Sequence, residues 1–301
     1  MSSGPIQYAQ TPVLSIAYHE YGASTGWPVV LSHGFPYDPH AYDHVVPSLI
    51  RHGARVIVPY LRGYGPTRFL SPETMRNGQQ AALGRDIIDL LDALGIEKAL
   101  LAGFDWGGLA SCCASALFPD RVVGLVSIAG YDINDVSAQL RANPPFLECR
   151  IWYQHLFQSE RGRECLEQHR RDLCKILWKQ WSPNWPFSEE LYDSVADSFG
   201  NPDFVDVVIH CYRHCFGNAQ GESAYEDLEE RLRQRPKIVV PTITIDGIDD
   251  PLKPGGTAHH AEMFTGKHEH RAVKSGHALP FEAPEDFAAA ILAVHDWVVD
   301  D

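Results

Sequence analysis

Gly103-Phe104-Asp105-Trp106-Gly107-Gly108 lies between an apolar run at residues 99–102 and a small-residue helical pattern at 109–117. A strand that turns sharply into a helix brings two backbones close together, and glycines, lacking Cβ, permit that approach. The turn then holds up the side chain between them, here Asp105, on a strained backbone. A carboxylate so presented is a weak nucleophile that can displace a leaving group at sp³ carbon and become an ester, whereas a serine there would attack acyl carbon. The same acid could serve only the helix, because a carboxylate at a helix N-terminus is favoured by the dipole. Partners elsewhere in the chain have to decide.

Outward from this turn, short apolar runs bounded by turn residues at 29–32, 54–60, 98–103 and 122–128 read as buried parallel strands. Two more strands are expected at 238–245 and 270–273. Leu83, Ile87, Leu90, Leu91 and Leu94 fall at helical spacing within 79–94, and Gly95 stops that helix. Further helical stretches are expected at 257–264 and 284–299. Alternating strands and helices point to an α/β fold with a mostly parallel sheet flanked by helices. Residues 135–235 break the alternation: no strand pattern is visible there, and helical spacing, tryptophans and charges recur. The economical division is a core of residues 1–134 and 236–301, with residues 135–235 inserted as a helical lid over the C-terminal edge of the sheet, where open α/β sheets bind ligands.

Composition narrows the function classes. A formal charge of −14 disfavours nucleic acid or an anionic membrane as partner. No apolar stretch is long enough to span a bilayer, and residues 1–10 lack the basic and apolar regions of a signal peptide, so a cytoplasmic location is the default expectation. The seven cysteines have no framework spacing and fit reduced thiols. His210-Cys211-Tyr212-Arg213-His214-Cys215 superficially offers metal ligands, with His259-His260 or His268-Glu269-His270 as a second pair, but helical patterning over 205–215 explains that segment. No metal and no cofactor are expected.

An ester on Asp105 would have to be hydrolysed, which needs a base, an acid to orient it and donors for an oxyanion. The base candidate is His277, in Ser275-Gly276-His277, a loop after the last strand. For the orienting acid, Asp250 in Asp246-Gly247-Ile248-Asp249-Asp250-Pro251 competes with Asp246 and Asp249 as turn formers. A second location, after the strand ending near Gly130, offers Asp132 and Asp135. Oxyanion donors would be the backbone N–H groups of Phe35, in His33-Gly34-Phe35-Pro36, and of Trp106 at the start of the helix. Pro36 stiffens the first of these turns.

Taken together, His33-Gly34-Phe35-Pro36, Arg62-Gly63-Tyr64-Gly65, the Asp105 turn, Asp250 and Gly276-His277 resemble, in order and spacing, the aspartate-nucleophile group of the α/β-hydrolase superfamily. The resemblance covers nearly the whole chain. Within the group the chain is most similar to soluble epoxide hydrolases: Tyr153-Gln154-His155-Leu156-Phe157-Gln158 looks like their Tyr-x-x-x-Phe-Gln segment, and Tyr212-Arg213 like their later Tyr-Arg. The resemblance implies an α/β-hydrolase fold with a helical cap, Asp105 as nucleophile, Asp250 and His277 as its partners, and Tyr153 and Tyr212 as donors to an epoxide oxygen. It implies a hydrolase acting on ether bonds, with water and a small apolar epoxide as substrates; independently of the resemblance, a monomer or homodimer is expected. Trp152, Phe157 and Pro36 are the expected substrate contacts.

The core motifs are shared with haloalkane dehalogenases, so dehalogenation is the rival activity. Against it, Phe35 stands where typical haloalkane dehalogenases place Asn, and Trp106 and Leu109 stand where haloacetate dehalogenases carry arginines. A non-catalytic ligand-binding relative is the third reading, though no triad member is missing. Ser111 lies too far along the helix for a serine esterase. Two features depart from the epoxide hydrolase pattern: Pro59-Tyr60-Leu61 precedes Arg62, and Gly65-Pro66-Thr67-Arg68-Phe69 follows in place of the common Gly-x-Ser-Asp.

Overall fold

The computed structural model describes residues 4–300; residues 1–3 and 301, at the outer ends of the two expected core segments, lie outside the described residues. The apolar runs assemble into a nine-stranded sheet: β1 (Gln7–Gln10), β2 (Leu14–Tyr21), β3 (Trp27–Ser32), β4 (Ala54–Pro59), β5 (Arg68–Phe69), β6 (Ala99–Gly103), β7 (Val122–Ile128), β8 (Thr242–Gly247) and β9 (His268–Val273). Their order is β1-β2-β4-β3-β6-β7-β8-β9, with β5 beside β2. From β4 to β9 along that order every pairing is parallel. The β1, β2 and β5 end is antiparallel.

All six expected strands form. The three that the pattern missed lie at the antiparallel end, where β1 is largely exposed and β5 has only two residues, so neither carries an apolar run. β8 begins later than expected, because Pro241 has no N–H to give a ladder. Ile238 makes an isolated bridge with Phe264 instead. The expected helix near 257–264 is a 3₁₀ turn at Ala258–Met263.

α1 (Val46–Arg51) packs with the C-terminal α12 (Pro284–Val299), while α2 (Gln80–Ala93) packs on α3 (Trp106–Leu117), so the sheet has helices on both faces. Leu83, Ile87, Leu90 and Leu91 of α2 are buried as their spacing requires, and Gly95 ends the helix at φ 64°. The interior strand β6 is wholly buried, and each large aliphatic side chain so buried contributes about 1.5–3 kcal/mol.

Between β7 and β8 the chain is helical: α4 (Val136–Gln139), α5 (Pro145–Glu148), α6 (Trp152–Leu156), α7 (Glu160–Trp181), α8 (Glu189–Ala196), α9 (Phe204–Cys215) and α10 (Glu226–Arg233). This insertion is tied to the core by polar bonds. Ser198 donates to buried Asp38 at 2.6 Å, Arg76 pairs with Asp203 at 2.9 Å, and Glu229 accepts the Ala81 N–H at 3.0 Å. The last of these caps α2, whose own Gln79 makes no cap bond. After the insertion, α11 (Leu279–Glu282) leads into α12.

Candidate active site

Asp105 sits between β6 and α3 with φ 52° and ψ −126°, a conformation costing a non-glycine residue about 1–3 kcal/mol. The glycines around it permit the turn. A Cβ on Gly107 would stand 1.8 Å from the Ser32 carbonyl oxygen, and one on Gly34 would stand 2.4 Å from Asp105 Cβ. The carboxylate is thereby pushed against the end of β3, where both Phe35 N–H and Trp106 N–H donate to Oδ1 at 2.7 Å. Oδ2 faces His277 Nε2 at 3.4 Å, long for a hydrogen bond. His277 Nδ1 lies 2.9 Å from Asp250 Oδ2, and Asp250 Oδ1 accepts the Leu252 N–H at 2.8 Å.

Asp105, His277 and Asp250 thus form one chain of charge. Burial alone would depress the imidazole, but the charge of Asp250, hydrogen bonds to Asp105 and Asp250, and the charge of Asp105 outweigh it and raise the His277 pKa to about 10. The competing acids are engaged elsewhere: Asp246 accepts from the Thr257 N–H and hydroxyl, and Asp249 pairs with Lys274. Asp132 pairs with Lys253 at 3.2 Å, and Asp135 with Arg235 at 3.3 Å.

His33 fixes the turn that carries Phe35. Its Nε2 accepts the Leu61 N–H at 3.1 Å, which leaves Nδ1–H to donate to the Gly34 carbonyl at 3.0 Å. Burial lowers its pKa to about 4, so the ring is neutral, as that pattern requires. The Phe35-Pro36 peptide is cis.

From the insertion, Tyr153 on α6 and Tyr212 on α9 place their hydroxyls 3.5 Å apart. Gln154 Nε2 donates to the Tyr153 oxygen at 2.9 Å. Both phenols line, with Asp105, Trp106 and His277, a cavity of about 400 Å³. Burial first, then neighbouring groups that include Asp105, raises both pKa values above the ordinary phenol range. Both therefore remain protonated donors.

Trp152, Phe157 and Pro36 do not line this cavity. Trp152 turns its indole to Gln180, donating at 2.9 Å. Phe157 is fully buried behind the phenols, its ring 5.5 Å from that of Tyr212 and 5.8 Å from that of Tyr153. The Pro36 carbonyl accepts from Trp178 Nε1 at 2.9 Å. Trp152 and Phe157 belong to a short helical stretch whose sequence does not specify which face meets the cavity, and Pro36, in the core loop after β3, is turned toward Trp178 instead.

The cavity is also less apolar than expected, since Asp132, Lys253 and Arg235 line it. A usable signal existed: Asp132 follows the C-terminal end of β7, and Lys253 comes three residues after Asp250, beyond the end of β8. His210 is taken up structurally, accepting the Gly78 N–H at 3.0 Å and facing the Gln220 carbonyl at 3.0 Å. No cluster of three or more His, Cys, Asp or Glu suited to a metal ion occurs among the described residues. Nor is any helix among them long and apolar enough to cross a membrane.

Residues 28–284 match the family model for the α/β-hydrolase fold. A Klebsiella pneumoniae protein provisionally named an epoxide hydrolase is 43% identical, over 97% of each chain, with a TM-score of 0.94. Epoxide hydrolase 3 of Siraitia grosvenorii is 37% identical over 114 residues, which are 38% of this chain and 35% of that protein. Epoxide hydrolase B of Mycobacterium tuberculosis (strain ATCC 25618 / H37Rv) is 32% identical over 146 residues, 44% of this chain and 40% of that one. The matched stretches therefore span well under half the length of these two relatives. Epoxide hydrolase A of Mycobacterium thermoresistibile, 22% identical with a TM-score of 0.75 over 96% of this chain and 97% of that one, shares the fold. The chain belongs to the α/β-hydrolase fold family.

Proposed function

We propose that the chain is an epoxide hydrolase that works through an ester on Asp105. The observation that carries this reading is the split environment of the Asp105 carboxylate. One oxygen is held by two backbone N–H groups at 2.7 Å, while the other has only the long 3.4 Å contact with His277 Nε2 and faces the cavity onto which two phenols open. The reaction starts with the raised pKa of His277 keeping its imidazolium beside Asp105. Oδ2 forms a bond to an epoxide carbon, the C–O bond of the ring breaks, and the ring oxygen takes the proton of Tyr153 or Tyr212.

Esterification removes the charge of Asp105, and with it two of the influences that hold the His277 proton. The imidazolium then returns a proton to the phenolate and becomes a base. It takes a proton from water as the hydroxide adds to the ester carbon, while the N–H groups of Phe35 and Trp106 hold the developing oxyanion; one such donor is typically worth about 3–4 kcal/mol. Collapse expels the alkoxide, which takes the imidazolium proton and leaves as a vicinal diol. The acid left on Asp105 then protonates His277 and restores the ion pair. Asp250 positions the imidazole throughout. Residues 135–235 act as the lid that supplies the phenols, on the core of 1–134 and 236–301.

The reading is tested by offering styrene oxide and a haloalkane to the chain and to Asp105→Asn. Diol from the epoxide, lost in Asp105→Asn, is expected. Halide release without diol would support the dehalogenase reading instead.

A further inference from the structure

One wall of the cavity carries charge that this scheme does not use. Asp132, in the turn after β7, and Lys253, in the loop after β8, line the cavity together with Asp105 and His277. Lys253 Nζ donates to Asp132 Oδ1 at 3.2 Å, and the two side chains remain 34% and 23% exposed. Lysine has three donors and a carboxylate two acceptor oxygens. Among the described residues neither side chain makes a second side-chain hydrogen bond, so the pair presents unspent donors beside unspent acceptors.

We propose that Asp132 and Lys253 form a polar subsite that selects epoxides bearing a hydroxyl on the arm beyond the ring. A hydroxyl both accepts and donates, so it can accept from Lys253 and donate to Asp132 at once. A hydrocarbon arm would take water from the pair and return no hydrogen bond, which is costly for charged groups. A carboxylate arm would reach Lys253 only by lying beside Asp132, and the other cation on the cavity, Arg235, is already paired with Asp135 at 3.3 Å. A volume of about 400 Å³ suits a small epoxy alcohol. The subsite rests on the epoxide hydrolase reading given above.

The test compares kcat/KM for 3,4-epoxy-1-butanol with that for 1,2-epoxybutane. The alcohol is expected to be favoured by about tenfold, less than a sealed site would give because the pair is partly exposed. In the double variant Asp132→Asn/Lys253→Met the ratio should fall toward one through loss on the alcohol, while retained turnover of the hydrocarbon shows that the chain is folded. Should the double variant fail to fold, Lys253→Gln reads the same ratio. Equal rates, a hydrocarbon preference, or a ratio that survives these changes would overturn the subsite alone. Turnover of neither epoxide would overturn the epoxide hydrolase reading and the subsite with it.

Discussion

Asp105 is positioned by backbone, whereas Tyr153 and Tyr212 are positioned by other side chains. The carboxylate stands on a turn that glycines allow and two N–H groups hold at 2.7 Å, all within the sheet core. The phenols stand on two helices of the insertion, wedged among Phe35, Phe157 and Trp181 with ring separations of 5.2–6.1 Å. A backbone cradle tolerates neighbouring changes and suits a step common to many substrates, the making and hydrolysis of an ester. Aromatic packing can be retuned by one substitution, and so suits the step that depends on what is bound. The two regions thus divide the proposed reaction, and the division can be tested one half at a time.

The largest separation should come from His277→Gln. In the proposed reaction alkylation needs only Asp105 and the phenols, so this variant should give one equivalent of opened epoxide and then stop, with steady-state turnover down by about 10⁴-fold or more. Intact-protein mass spectrometry would detect the accumulated ester. Absence of both the burst and the adduct would show that the two halves are not separable.

Tyr153→Phe and Tyr212→Phe should each slow ring opening by about 10²-fold or more, since each removes one donor that the proposed reaction places on the leaving oxygen. Single-turnover kinetics should place the loss in adduct formation and leave adduct hydrolysis nearly unchanged. A loss confined to hydrolysis would break the comparison.

A smaller and signed effect concerns His277. In Asp105→Asn one raising charge is gone and the neighbouring oxygen belongs to a neutral amide, so the midpoint should fall below the value of about 10 in the parent chain. Ring NMR titration measures this directly. The sign carries over to stability. A group whose folded pKa lies above its unfolded value of about 6.5 stabilises fully below that pH and loses its contribution as pH rises through about 10. The stability advantage of the parent over His277→Gln, followed by denaturant unfolding, should therefore shrink on the alkaline side.

The smallest effect is expected for Trp152→Phe. The indole reaches Gln180 and not the cavity, so kcat/KM should stay within about threefold and stability should fall by about 1 kcal/mol for the lost hydrogen bond. A drop of a hundredfold would return Trp152 to the substrate.

Much of the core was legible in the sequence because its signals are local. Glycines around Asp105, Gly276 before His277 and the apolar runs of β3, β6 and β7 each act within a few residues, and their order along the chain fixes how the sheet brings them together. From its own residues Asp250 was legible only in company with Asp246, Asp249, Asp132 and Asp135, and the fold separates them by giving the other four partners in Thr257, Lys274, Lys253 and Arg235. The insertion is less legible. Tyr153 and Tyr212 carry recognisable neighbours, but whether Trp152 or Phe157 faces the cavity depends on how α6 lies against α7 and α9, which no local pattern specifies. Asp132 and Lys253 each follow the C-terminal end of a strand, which is a legible position, but their pairing is not legible, because they meet across 121 residues of chain through a contact between two loops.

The most direct test of the ester on Asp105 is a single turnover in ¹⁸O-labelled water, followed by mass analysis of the Asp105 peptide and of the diol. The expected result is label in the Asp105 carboxylate and an unlabelled oxygen delivered to the diol. Label in the diol with none in the Asp105 peptide would mean that water attacks the epoxide directly, and would contradict the account.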